Sequence, residues 1–244
     1  MRYDTRSRST GFRFASSLPV GVRWLLISNI TLFLIYFFVN RTAGAQFFLL
    51  LSLVPRAVVQ HFAIWQLFTY MFLHDPNGFS HILFNMLTLW MFGTDLERQW
   101  GTKRFLTYYF ICGVGAGICV VLINLLFGEM NARVIGASGA IYGLLLAFGL
   151  LYPDRTLLFS FLFPIKAKYF VMILGAIAFL SSFSVNGGLS NVAHLGGMIF
   201  GYAYLKMKFQ TVNLDLIGQN YRDWKLQRAK KKFQVYMRKH DRDQ

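Results

Sequence analysis

Six apolar runs separated by polar or basic breaks dominate the chain: Val20 to Asn40, His81 to Leu96, Phe105 to Phe127, Ser138 to Tyr152, Tyr169 to Phe183 and Val192 to Leu205. Hydropathy and breaker residues together predict a helix for each. The first and third are long and plainly apolar, and a bilayer span takes about 20 such residues. The second, fourth and sixth are shorter and interrupted by polar residues or glycine, the pattern of helices screened from lipid by their neighbours. The expectation is an all-α membrane protein with six transmembrane helices in a compact bundle.

The segment between the first two runs, Arg41 to Ser80, is long. Its "AQFFLLLSLVP" is too short to span, and "AVVQHFAIWQLFTYMFLH" mixes apolar with polar positions. It predicts interfacial helices lying in or dipping into the outer membrane surface. "DPNG", Asp75 to Gly78, predicts a turn. Ser181 to Asn191 is uncharged and rich in Ser, Gly and Asn, which predicts a mobile cap on the outer face. Three regions follow: a basic cytoplasmic tail over 1–19, a six-helix membrane domain over 20–208 and a basic C-terminal tail over 209–244.

Composition agrees. Of 244 residues 55% are hydrophobic and only 14% charged, against about 25% charged in soluble domains. The net charge of +15 mostly reports topology. Lys and Arg crowd the breaks assigned to one side and leave Arg41, Arg56 and Arg133 on the other. The positive-inside rule then puts both termini in the cytoplasm. The N-terminal basic stretch leads into a full-length span without an A-x-A-like cleavage site, so the first helix is expected to remain. Cys112 and Cys119 are roughly 10 Å apart along one helix, too far for a disulfide. In the C-terminal tail Tyr221, Trp224, Phe233 and Tyr236 interleave with Lys and Arg. This favours contact with anionic lipid headgroups over nucleic-acid binding.

Polar side chains inside such helices are functional candidates. No Asp or Glu lies deep in a run, but His81, Ser138 and His194 do. Measured from the breaks at Asp95, Pro153 and Lys206, they lie at roughly 21, 22 and 18 Å. Three helices thus bring a polar group to one layer. Gly139 and Gly143 in the fourth run, and Gly197 and Gly201 in the sixth, form G-x-x-x-G pairs that permit close backbone approach. That approach sets the Ser138 hydroxyl near the His194 imidazole, a nucleophile with its base and no carboxylate as third member. Tyr142, one turn from Ser138, is positioned to pack on the imidazole.

An acyl-transfer site also needs donors for the oxyanion. Asn85 shares a helix face with His81. If the fourth helix starts near Ala137, the Ser138 N–H and its neighbours are free of intrahelical partners. A metal site is disfavoured, since His81 and Asn85 do not form H-E-x-x-H. His61 and His74, in the interfacial segment, suit structural or solvated roles.

At these residues the chain resembles the rhomboid family of intramembrane serine proteases. "HILFN" is similar to the family's H-x-x-x-N, "GASGAIYG" (Gly136 onward) to its G-x-S-G, and "AHLGGMIFG" to its A-H-x-x-G-x-x-x-G; "ERQWG", Glu97 to Gly101, is similar to the turn after its second helix. The resemblance implies a rhomboid-like bundle and a Ser138–His194 dyad. It implies an oxyanion site of His81, Asn85 and the Ser138 N–H, with Tyr142 supporting His194 and Gly136, Gly139, Gly197 and Gly201 supporting the site. It implies transmembrane protein substrates cut at a small residue and reached laterally past the second and fifth helices. No cofactor is implied. The minimal six-helix form suggests a bacterial inner membrane. Many relatives have Trp-Arg where this chain has Trp65-Gln66. One competing reading is a rhomboid-like protein that binds transmembrane clients without cutting them; the presence of both Ser138 and His194 argues against it. Another is a transporter, and the missing buried carboxylates and absent repeat count against that.

Overall fold

The computed structural model describes residues 18–159, 163–183 and 188–207. Almost all of both tails, with Tyr221, Trp224, Phe233 and Tyr236, and part of the Ser181–Asn191 cap, lie outside the described residues.

The first described helix is α1, Val20–Val39, which starts directly after Pro19. Three short helices follow: α2 (Ala45–Leu51), α3 (Pro55–Gln60) and α4 (Gln66–Thr69), the last running into a 3₁₀ turn at Tyr70–Phe72. The second apolar run forms α5 (Phe79–Thr88), a π-helical stretch at Leu89–Gly93 and α6 (Thr94–Trp100). Gly101, at φ +78°, breaks the chain before α7, Thr102–Phe127. Gly128 closes α7 in the left-handed region, its N–H donating to the Asn124 carbonyl at 2.9 Å. Helix α8 spans Ser138–Leu151, α9 spans Ala167–Ser181, and α10 covers 188–207.

Between α8 and α9 the structure departs from an all-helical expectation. Thr156–Phe159 (β1) pairs antiparallel with Phe163–Lys166 (β2), Thr156 opposite Lys166. Pro153 stops α8, and Thr156, Phe163 and Ile165 suit a pleated ribbon better than a helix. The hairpin is too short for its apolar residues to stand out from the flanking helices. Its base is pinned by Asp154, whose carboxylate accepts from Lys166 and Lys168 at 3.2 and 2.9 Å. Those ammonium groups hold the Asp154 carboxyl below its ordinary pKa.

Helix α7 is the axis of the core. Phe105, Tyr108, Tyr109, Cys112, Ala116 and Val120 along it are fully buried, against α8 on one side and α1, α3, α4 and α6 on others. Two tyrosines tie it laterally: Tyr108 Oη donates to the Gly143 carbonyl of α8 and Tyr70 Oη to the Gly113 carbonyl of α7, both at 2.7 Å. Cys112 and Cys119 are free thiols.

The start of α1 docks on a buried carboxylate. Glu97 of α6 accepts from the N–H groups of Gly21 and Val22 at 2.8 and 2.7 Å, and from Thr102 Oγ1 at 2.6 Å. It satisfies two donors the helix leaves open and complements the positive end of its dipole.

Among the described residues two helices, α1 and α7, are long and apolar enough to cross a membrane; α8 and α9 are shorter apolar helices. Trp24, Leu34 and Phe38 of α1, Leu126 and Phe127 of α7, and Met172 and Leu180 of α9 are exposed. Water does not tolerate such continuous apolar surface on a single chain. Lipid does.

Candidate active site

Helix α8 begins at Ser138 because the backbone turns sharply just before it. Gly136 has φ +126°, a conformation that a side chain disfavours, and its N–H is held by the Tyr70 carbonyl at 3.0 Å. Ala137 is the N-cap and provides no side-chain cap. The first bond of α8 runs from the Ile141 N–H to the Ala137 carbonyl. The N–H groups of Ser138, Gly139 and Ala140 precede it and have no acceptor within the helix.

Ser138 Oγ lies 2.9 Å from His194 Nε2. Across the ring of His194 lies Tyr142, with centroids 4.0 Å apart and planes inclined by 4°. His194 Nδ1 is buried and has no hydrogen-bond partner among the described residues. With the proton on Nδ1, Nε2 accepts from the serine hydroxyl, the tautomer a general base requires.

Glycine makes this meeting of α8 and α10 possible. A Cβ on Gly197 would overlap the Gly139 carbonyl, and one on Gly143 would overlap Cys112 Sγ and lie 3.2 Å from the Gly197 carbonyl. A Cβ on Gly201 would overlap Tyr108 Oη. The two helices touch backbone to backbone.

Helix α5 delivers His81 and Asn85. The Asp75 N–H approaches His81 Nδ1 at 3.4 Å, a long contact that favours the proton on Nε2. Nε2 faces Ser138 across Gly136: a Cβ built there would sit 3.0 Å from His81 Nε2 and 3.8 Å from Ser138 Oγ. Asn85 Nδ2 donates to the His81 carbonyl at 2.7 Å, which uses one of its two amide hydrogens. Ser138, His194, Tyr142, His81 and Asn85 all line one cavity of about 960 Å³. A polar rim that includes Asn40 and Asn77 lies on that cavity, as do Phe92, Leu145, Phe170 and Leu174.

Several contributors carry no motif. Tyr70 holds Gly136 through its carbonyl and lines the cavity; in sequence it is one aromatic among many in a mixed segment. His61 is exposed, while His74 is fully buried with its ring 5.1 Å from that of His81. Burial lowers the His74 pKa to about 3. Gln66, which stands where many relatives have Arg, bonds through its amide. Its Nε2 donates to the Leu50 carbonyl and its Oε1 accepts from the Val54 N–H, both at 3.0 Å, while Trp65 Nε1 donates to the same Leu50 carbonyl at 3.1 Å. A neutral amide thus ties α4 to the end of α2.

The chain is also similar to known proteins. The Rhomboid domain family matches residues 61–211. The chain is 37% identical over 138 residues to rhomboid protease GluP of Bacillus subtilis, covering 57% of this chain and 25% of that protein. It is 32% identical over 133 residues to the mitochondrial Rhomboid protein 1 of Saccharomyces cerevisiae, covering 52% and 37%. It is also 32% identical over 145 residues to RHOMBOID-like protein 1 of Arabidopsis thaliana, covering 59% and 34%. The match thus spans from a quarter to little more than a third of the length of these relatives. With a family match over more than half its length, the chain belongs to the rhomboid family and is an integral membrane protein.

Proposed function

We propose that this protein is an intramembrane serine endopeptidase acting on transmembrane protein substrates. The observation that carries the reading is the 2.9 Å approach of Ser138 Oγ to His194 Nε2 within a cavity. His194 takes the hydroxyl proton as Oγ bonds to the scissile carbonyl carbon. The oxyanion is received by the Ser138 N–H, His81 Nε2–H and the second amide hydrogen of Asn85. Collapse breaks the C–N bond, with the proton passing from His194 to the leaving amine. Water then attacks the acyl-enzyme with His194 again as base, which releases the acid and restores Ser138. Tyr142 holds the imidazole in plane where no carboxylate among the described residues does so, and Gly136, Gly139, Gly197 and Gly201 keep the space open.

The same reading has α1, the α5–α6 unit, α7, α8, α9 and α10 as six membrane-crossing elements of one domain over 20–208. The chain sits in a bacterial inner membrane with both termini cytoplasmic, and the basic region 209–244 rests on anionic lipid. Substrates approach laterally between α5 and α9; the lining of the cavity by Thr88, Phe92, Phe170 and Leu174 supports that route. No cofactor takes part.

The test is cleavage of a reporter transmembrane substrate in reconstituted vesicles. Wild type should cut it, and Ser138→Ala and His194→Ala should not. Cleavage that persisted in either variant would reject the assignment.

A further inference from the structure

We propose that Arg133 is a specificity residue, whose guanidinium receives a carboxylate on the substrate polypeptide near the scissile bond. This rests on the protease reading above. Arg133 and Asp75 are the formally charged side chains lining the cavity that holds Ser138 and His194, and they are not equivalent. The Asp75 carboxylate is engaged within its own turn, accepting from the Asn77 N–H at 2.9 Å and from Asn77 Nδ2 at 3.2 Å. Arg133 is exposed and makes no ion pair or hydrogen bond through its side chain among the described residues.

Its backbone is fixed. Val134 exchanges two hydrogen bonds with Leu53, at 2.9 and 3.0 Å, and the Gly136 N–H is held by the Tyr70 carbonyl at 3.0 Å. Just upstream, the Met130 carbonyl accepts from the Arg56 N–H at 2.8 Å. A cation on so anchored a segment projects from a defined point beside the nucleophile. It lies five positions before Ser138, a path of at most about 18 Å. An extended substrate would therefore bring a carboxylate into reach from within about five residues of the cut. A guanidinium fork suits a carboxylate, which it grips with two parallel bonds. A lipid phosphate is the competing anion. The position of Arg133 on the catalytic cavity favours the peptide.

The test uses reporter substrates carrying Asp, Asn or Lys at each position within five residues of the cut. They are presented to wild type, Arg133→Gln, Arg133→Lys and Arg133→Glu in phosphatidylcholine vesicles with and without phosphatidylglycerol. Melting temperatures identify any variant that fails to fold. At the best position, wild type should show kcat/KM about three- to fivefold higher for Asp than for Asn, the size an exposed ion pair supports. Arg133→Lys should keep part of that ratio, Arg133→Gln should lose it, and Arg133→Glu should prefer Lys. An unchanged Asp-to-Asn ratio in the variants overturns the inference. So do rates that follow lipid charge alike for every substrate. Those outcomes leave the protease reading intact. If wild type neither cuts any substrate nor reacts at Ser138 with a fluorophosphonate, that reading fails and this inference with it.

Discussion

The carbonyl of Gly139 occupies the space that a side chain on Gly197 would need. The obstacle is backbone, so it does not swing aside as a long side chain would. Helices α8 and α10 must separate to admit even a methyl group, and that movement pulls His194 away from Ser138. Overpacking a core costs about 1–3 kcal/mol where side chains can adjust. Gly197→Ala should therefore lower the thermal midpoint of the purified protein and abolish cleavage. A variant with wild-type stability and rate would mean that the helices are not in this contact.

Gly136→Ala should impair chemistry beyond any loss of stability that its positive φ brings, so kcat is read on the folded fraction. The residue has φ +126°, and its Cβ would lie 3.0 Å from His81 Nε2 in the space where an oxyanion is to form. Loss of one oxyanion donor costs roughly 10²- to 10³-fold in kcat. The expected result is a fall in kcat of that order with KM little changed. Unimpaired kcat would remove His81 from the proposed oxyanion site.

Glu97→Gln should weaken the seating of α1. The carboxylate accepts from Gly21, Val22 and Thr102, and charge-assisted bonds are the stronger kind. Replacing either oxygen by an NH₂ donor sets it against a backbone N–H, that of Gly21 or that of Val22. A loss of about 2–3 kcal/mol is expected, read as a lower midpoint in denaturant. Equal midpoints would show that α1 is held by apolar packing alone.

Much of this was legible in the chain and some was not, for physical reasons. Five of the six apolar runs mark helices to within a few residues, because length and hydropathy act over many positions at once. The second run predicts one helix over His81 to Leu96. The backbone is helical without a break over that run and on to Trp100, but its middle, Leu89–Gly93, is wound as a π-helix, a local change that periodicity does not carry. The approach of Ser138 to His194 was foreshadowed by glycine pairs, since small residues are the sequence record of close helices. The partners of Glu97 are backbone N–H groups and leave no record. Tyr70 acts on Gly136 through its carbonyl, which any residue possesses. The amide bonds of Gln66 depend on where α2 ends, and hydropathy blurs that boundary. His74 shows the same limit: its burial follows from the fold of the segment around it.

His74 should make stability depend on pH. Burial holds its pKa near 3 in the folded protein, below the ordinary 6.5. The unfolded chain therefore binds a proton that the folded chain does not. The folded state keeps its full stability above about pH 6.5 and loses it progressively as pH falls towards 3, by up to about 1.4 kcal/mol per pH unit. His74→Phe should flatten the profile between pH 6 and 4. An identical slope in the variant would assign the acid sensitivity elsewhere.

The central claim is that the Ser138 hydroxyl is an activated nucleophile. Labelling of the protein in detergent or vesicles with a serine-reactive fluorophosphonate measures this without any knowledge of the substrate. Wild type should be labelled at Ser138, His194→Ala should react far more slowly, and Ser138→Ala should remain unlabelled. Labelling of Ser138→Ala at the wild-type rate would contradict the account.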